Sequence, residues 1–256
     1  MSLQPLSVLV TRPQGQAAPL MAAIEHAGGD VWHYAVMAIA ELTTDEQRQQ
    51  CKQTIMALDE YQHIIFISGN AVHFGMEWIN HYWPQLPLGI NWYGIGKKTV
   101  AQLIEQGVPC VDSGSSGAMN SEALLQHNNL QQLAQQKVLI VRGVGGRDYL
   151  AEQLSQRGAK VSYAECYKRL LPALPKGELT AMIAHNAVNT VCLNSGESVN
   201  NFYQLLGDDR APWLDQLTIV VPGDRVSAIA SELGFAQVVT AENASDESML
   251  EALKRL

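Results

Sequence analysis

Five short apolar runs rich in β-branched residues recur along the chain: VLVT (8–11), IIFI (64–67), VLIV (138–141), TVCL (190–193) and TIVV (218–221). They are too brief for helices and too continuous for strands with one wet face, so they predict strands buried on both faces of a parallel sheet. Between them the apolar spacing turns helical, near 16–27, 44–58, 70–82, 97–106, 121–134, 148–157, 197–206, 225–233 and 246–255. Thr44 and Gln47 are spaced as a capping box at the start of the second of these. Gly28, Gly107, Gly158 and Gly234 stand where C-terminal caps belong. The Gln/Asn-rich QHNNLQQLAQQK (126–137) keeps the helical spacing and is read as a surface helix. Alternating strand and helix predicts an α/β fold, doubly wound about parallel sheets.

The pattern also repeats. VLVTRPQGQAAPLMAAIEHAGGDV (8–31) aligns without a gap on VLIVRGVGGRDYLAEQLSQRGAKV (138–161), at a constant offset of 130. IIFISGNAV (64–72) matches VCLNSGESV (191–199), and WYGIGKKTVAQLIEQG (92–107) matches IVVPGDRVSAIASELG (219–234), both at an offset of 127. A weaker pair sets NSEAL (120–124) against DESML (246–250). Four matches in one order predict an internal duplication into two similar α/β domains.

Ligands of doubly wound sheets bind at the carboxyl ends of the strands. The residues that follow each strand are Thr11-Arg12-Pro13, Ser68-Gly69-Asn70, Gly94 to Thr99, Asp112 to Gly117, Arg142 to Arg147, Asn194-Ser195-Gly196 and Pro222 to Arg225. They are small, hydroxyl-bearing and glycine-rich, and most open a helix, whose first N–H groups attract anions. Any one of them is explained by ordinary helix capping; seven together predict a cleft for an anionic ligand. The loop Gly143-Val144-Gly145-Gly146-Arg147 looks at first like a dinucleotide fingerprint, but Asp148 stands where the third glycine belongs. Two readings stay open for it: an anion held by amides and guanidinium groups, or a turn that needs glycine for shape.

Charge and composition narrow the choice. The net charge of −8, with no basic run, argues against a broad nucleic-acid surface. No apolar run reaches the roughly 20 residues of a membrane span, and MSLQPLSVLVTRP has no basic region of the signal-peptide kind. Cys51, Cys110, Cys166 and Cys192 form no CxxC pair and are expected as reduced residues of a cytosolic protein. The histidines lack metal-ligand spacing; His63, His73 and His81 read as surface or satisfied loop residues. With no heptad or obvious apolar patch, a monomer is expected.

With these residues in view, the chain resembles the uroporphyrinogen-III synthase family, cyclising enzymes of tetrapyrrole biosynthesis. The resemblance is carried, in order over essentially the whole chain, by VLVTRP, FISGNAV, YGIGKKTVAQLIEQG, NSEALL, RGVGGRDYLAEQLSQRGAKV and YAECYKR. It implies two α/β domains with a cleft between them, joined by a pair of extended strands. One domain would hold residues 1–36 with 170–256 and the other 37–169, with crossings near 34–42 and 163–171. The repeat alone would put the boundary near residue 135. The implied reaction cyclises hydroxymethylbilane, a linear tetrapyrrole rich in carboxylates, to uroporphyrinogen III. Loss of the terminal hydroxyl gives an azafulvene, the far ring attacks through its substituted carbon, and the spiro intermediate recloses with that ring inverted. No cofactor or metal is implied. The substrate would be handed over by hydroxymethylbilane synthase.

The resemblance also assigns roles. Tyr167 matches the family tyrosine proposed to assist departure of the hydroxyl; the plain alternative is a strand-end tyrosine with a buried ring and a wet hydroxyl. Thr99 matches a hydroxyl residue facing the cleft, or is simply a first-turn threonine. Substrate carboxylates would fall to Arg12, Ser68, Gly69, Asn70, Gly96, Lys97, Ser121, Arg142, Gly143, Gly145, Gly146, Arg147, Ser195, Gly196 and Arg225. Arg12 and Arg142, a repeated pair, either serve carboxylates or pair with acidic neighbours. Ser68 and Ser195 lack His–Asp partners and are poor nucleophiles. The chain departs from the family pattern at Val221 to Val226, where Asp224 sits oddly beside substrate carboxylates, and at Val144 in the glycine loop. Two other classes compete: a tetrapyrrole- or anion-binding sensor without chemistry, and a nucleotide-dependent enzyme, which Asp148 disfavours.

Overall fold

The computed structural model describes residues 3–111, 121–208 and 210–256 of the chain. The expected Asp112–Gly117 loop lies outside them, as does Asn120 of the NSEAL match. In chain order the elements begin with β1 (Ser7–Val10), α1 (Ala18–His26), β2 (Asp30–His33), β3 (Ala38–Glu41) and α2 (Asp45–Met56). Next come β4 (His63–Phe66), α3 (Gly69–Tyr82), β5 (Asn91–Gly94), α4 (Lys97–Glu105), β6 (Cys110–Val111) and α5 (Ser121–Leu124). The middle of the chain is β7 (Lys137–Gly143), α6 (Tyr149–Gln156) and β8 (Lys160–Leu170), followed by α7 (Glu178–His185), β9 (Thr190–Cys192) and α8 (Gly196–Leu205). The last elements are α9 (Ala211–Gln216), β10 (Thr218–Pro222), α10 (Gly223–Glu232), β11 (Gln237–Ala241) and α11 (Asp246–Leu253).

These elements form two compact units. Met1–Ala38 and Leu170–Leu256 make the first, and Ile39–Arg169 the second. The first contains a sheet in the order β11-β10-β9-β1-β2, the second a sheet in the order β3-β8-β7-β4-β5-β6. The pairs from β2 to β11 are parallel, as are those from β8 to β6. The chain leaves the first unit within β3 and returns to it at the end of β8, and β3 and β8 are sheet neighbours.

Both faces of each sheet are covered, which is why the strand sequences are apolar throughout. In β1, Leu9 joins one core cluster while Val8 and Val10 join the cluster on the opposite face. In β4, Ile64 and Phe66 pack toward α2 and α3, and Ile65 packs toward α6. A slip of one residue would exchange these sets between faces, so register is fixed by burial. Thr44 caps α2, its Oγ1 accepting the Gln47 N–H at 3.3 Å, but the expected capping box is only half formed because Gln47 Oε1 makes no return bond; Gly28, Gly107, Gly158 and Gly234 all take positive φ.

One long helix expected from the sequence does not form. Residues 121–134 give only the short α5 and a 3-10 turn over Asn128–Leu130. The Leu125 carbonyl, which a continuing helix would need, instead accepts from Gln131 Nε2 at 2.7 Å and Arg157 Nη1 at 2.7 Å. Side chains have outcompeted the backbone ladder. No helix among the described residues is long and apolar enough to cross a membrane.

His63 also departs from expectation. It is buried inside β4, with 3% of its surface exposed. Its two ring nitrogens lie 3.1 Å from Tyr93 Oη and 2.5 Å from Gln136 Oε1. Gln136 Oε1 can only accept, so Nε2 carries the proton and a neutral ring takes the Tyr93 hydroxyl at Nδ1. Burial pushes the imidazole pKa down, the nearby His127 adds to this, and the Gln136 bond opposes it. A histidine held neutral in the fold takes up its proton more readily when unfolded. Its contribution is therefore intact above the unfolded value near 6.5 and is lost as pH falls from there toward the lower folded value. Denaturant unfolding should show wild type losing up to about 1.4 kcal/mol per pH unit more than His63→Gln in that window. Parallel stability curves for the two proteins would contradict this.

Candidate functional site

In the second unit the strand order reverses between β7 and β4, and the loops after these two strands part there, the usual place for a ligand. Ser68 ends the β4 loop and caps α3: its Oγ accepts the Ala71 N–H at 3.2 Å. The same oxygen lies 3.3 Å from Tyr167 Oη. Gly69 opens α3 against Gln102, whose Oε1 would lie 2.4 Å from a Cβ there. Asn70 follows in the first turn and is half-buried.

Tyr167 reaches Ser68 because β8 carries a bulge. Arg142 pairs with Glu165, but the next β7 residue, Gly143, pairs with Tyr167. Strand alternation would send Cys166 and Tyr167 to opposite faces; the slipped register brings both into the cluster that holds Ala164. The ring is 2% exposed and stacks on Phe74 with centroids 5.3 Å apart. A Cβ at residue 143 would sit 2.6 Å from this ring, so only glycine fits there.

The β7 loop is braced from within. Arg142 is buried, donating to Asp148 Oδ1 at 3.0 Å, to the Gly143 carbonyl at 3.3 Å and, over a short contact, to the Gly145 carbonyl. Its guanidinium lies over the Tyr163 ring, 4.6 Å from the centroid, and Tyr163 donates to Asp148 at 2.9 Å. The Tyr163 hydroxyl and the Arg142 charge hold the Asp148 carboxyl below its usual range, while burial and Asp148 raise the Tyr163 phenol. Gly145 and Gly146 have φ of 67° and 109°. A Cβ on Gly146 would meet Arg142 Nη2 at 2.6 Å. Gly143 thus makes room for Tyr167 and Gly146 for Arg142. The Gly145 N–H donates to Glu165 Oε1 at 2.9 Å.

Beside this loop lies a cavity of about 320 Å³. Ser121, Arg142, Gly145, Gly146 and Arg147 line it, together with Glu122, Tyr149, Tyr163 and Arg169, which the sequence reading passed over. Arg169 stands two residues beyond Tyr167 in β8, so the YKR tripeptide was the available signal. Arg147 is exposed, stacks over Tyr149 and lies 3.4 Å from Glu122. An exposed pair of this kind holds the side chain only weakly, at about 0–1 kcal/mol. Gly96, at φ 88°, leads into α4; Lys97 there is exposed, whereas Thr99 is 4% exposed. A larger cavity of about 540 Å³ lies on the α2 and α3 side, lined by Phe74, Trp78 and Tyr82 together with Asp45, Arg48 and Lys52.

The first unit has its own carboxyl edge. Arg12 follows β1 and is engaged with Asp246 over a short contact and with the Ala244 carbonyl at 2.9 Å. Both repeated arginines therefore have acidic partners. Ser195 caps α8 through a reciprocal pair with Ser198, and Gly196 opens the helix against Ile229 and Arg225. Arg225 is exposed, and Asp224 beside it sits in the first turn of α10, where the helix dipole favours a carboxylate. Among the described residues no cluster of His, Cys, Asp or Glu could hold a metal ion.

Comparison with known proteins gives this arrangement a family. A family profile described as "Uroporphyrinogen-III synthase HemD" matches residues 18–251. The uroporphyrinogen-III synthase of Escherichia coli K12 is 29% identical over 97% of this chain and all of its own. That of Synechococcus elongatus is 26% identical over the whole chain and 98% of its own. Among solved structures, a mutant uroporphyrinogen III synthase from Thermus thermophilus superposes with a TM-score of 0.64 at 20% identity, covering 98% of both chains. The Helicobacter pylori enzyme gives 0.60 at 16%, covering 98% of this chain and all of that one. These last two establish likeness of fold, and with the profile spanning most of its length the chain belongs to the uroporphyrinogen-III synthase family.

Proposed function

We propose that the chain cyclises hydroxymethylbilane to uroporphyrinogen III, with loss of water and inversion of the last ring, and that the carboxyl edge of the β7–β4 sheet is where the reacting end of the substrate sits. The observation that carries the reading is the buried Tyr167 hydroxyl, held 3.3 Å from Ser68 at the strand-order reversal. Tyr167 gives its proton to the departing hydroxyl, which leaves as water and creates the azafulvene. The far ring then attacks, and the spiro intermediate fragments and recloses. Holding a flexible tetrapyrrole in that fold is chiefly a proximity effect, which contributes roughly 7–11 kcal/mol in favourable cases.

The substrate's carboxylates are assigned to Arg147, Ser121 and the first N–H groups of the helices that follow each strand. Arg147 is the best placed of the predicted arginines, because it lines the cavity and is exposed, while Arg142 braces the loop and Arg12 holds Asp246. Delivery of the substrate by hydroxymethylbilane synthase, a cytosolic setting and a monomeric state belong to the same reading. So does the duplication. Strands equated by the offsets, β1 with β7, β9 with β4 and β10 with β5, hold corresponding places in the two sheet orders, which supports it.

The test is a coupled assay in which hydroxymethylbilane is generated in situ and the oxidised products are separated into isomers. Wild type should yield mainly the type III isomer; type I alone, as in a blank, would overturn the proposal. In the same assay Tyr167→Phe should lower turnover by about 10²–10⁴-fold while substrate still binds. Undiminished turnover would remove Tyr167 from the mechanism. Arg147→Ala should weaken substrate binding by about tenfold or more, the usual worth of a charge-assisted hydrogen bond. Wild-type affinity would return the loop to a purely structural role.

A further inference from the structure

We propose that Ser68 is the positioning residue of Tyr167: it fixes the phenol and donates a hydrogen bond to the phenolate left when the proton is transferred. The inference rests on Tyr167 acting as the acid. When the Tyr167 O–H bond breaks, the proton goes to the substrate hydroxyl, and that oxygen departs as water with the electron pair of its bond to carbon. The negative charge stays on Tyr167 Oη until the closing pyrrole returns a proton as it regains aromaticity. That charge develops on a side chain only 2% exposed, in a cluster of apolar residues, where water gives little help.

The group at hand is Ser68. Its Oγ lies 3.3 Å from Tyr167 Oη, and one of its lone pairs already accepts the Ala71 N–H at 3.2 Å. The hydroxyl proton is therefore available to turn toward the phenolate. Ser68 also sits at the N-cap of the 14-residue α3, so its oxygen is polarised by the positive end of that helix. Two further contacts keep the partners in line: Phe74, itself on α3, stacks on the Tyr167 ring, and the missing Cβ of Gly143 leaves the ring its place. One helix thus supplies the donor, the dipole and the stacking ring.

The experiment is a kinetic cycle on the full chain with Ser68→Ala, Ser68→Thr, Ser68→Asp, Tyr167→Phe and the Ser68→Ala/Tyr167→Phe pair, with thermal unfolding to establish that each is folded. Ser68→Ala should lower kcat by about 10²-fold, as losing one preorganised donor does, with KM within about twofold. Ser68→Thr, which retains the hydroxyl, should recover most of that loss. Ser68→Asp caps α3 well but brings a charge that can only accept, so it should keep stability yet lose kcat at least as far as Ala. A role confined to capping predicts the opposite for Asp. In the Tyr167→Phe background, Ser68→Ala should add no further loss. If Tyr167→Phe alone keeps full turnover, the acid assignment fails and this inference with it. If Tyr167→Phe collapses turnover but Ser68→Ala does not, or if the two losses multiply, only the positioning role is overturned.

Discussion

Much of the second unit's chemistry hangs on one slipped register. Because Gly143 pairs with Tyr167 and not with Cys166, β8 sends two consecutive side chains to the same face. Without the bulge Tyr167 would point toward Tyr163 and the α6 side, away from Ser68 and Phe74. With it, the phenol reaches the N-terminus of α3 and its ring seals the core. Glu165, the last residue of β8 in register before the slip, accepts the Gly145 N–H through its side chain and so ties the strand to the glycine loop. Bulges gather where a strand must re-aim a side chain, and here the re-aimed side chain is the proposed acid.

The glycine loop acquires a physical explanation that its dinucleotide-like look conceals. A fingerprint uses glycine so that a pyrophosphate can approach the backbone. In this loop the close approaches come from the protein itself: the Tyr167 ring at Gly143 and the Arg142 guanidinium at Gly146. Asp148, where the fingerprint would have its third glycine, is the carboxylate that anchors Arg142. The loop is a braced platform whose exposed cation is Arg147.

The sequence made the doubly covered strands legible because β1, β4, β7, β9 and β10 are apolar on both faces, and burial alone produces that pattern. It was silent on the two edge strands, β2, which is mostly exposed, and β11, which is largely half-buried. The helix α7 escaped because its two buried residues, Leu179 and Ile183, follow a proline-rich approach; α9 buries no residue fully and spans a single short segment. The failure at 126–137 has a chemical cause: glutamine and arginine side chains took the carbonyls a helix would have used. At the site, the family resemblance is what singled out Ser68, Arg147 and Tyr167 as candidates, and their roles are proposals. Arg169, the Ser68–Tyr167 contact and the double duty of the glycines depend on residues far apart in sequence, and a bulge has no reliable signature in a single strand. The family profile over residues 18–251 supplies the membership that spacing alone could not.

The central claim is that the substrate's reacting end meets the carboxyl edge of the β7–β4 sheet. Titrating the isotopically labelled protein with the stable oxidised product, type III uroporphyrin, and following backbone amide NMR shifts tests it most directly. The account predicts saturable shifts at Ser68 to Asn70, Gly143 to Arg147 and Tyr167. Shifts confined to the larger cavity around Phe74, Trp78 and Tyr82 on the α2 and α3 side, with the glycine loop unmoved, would contradict it.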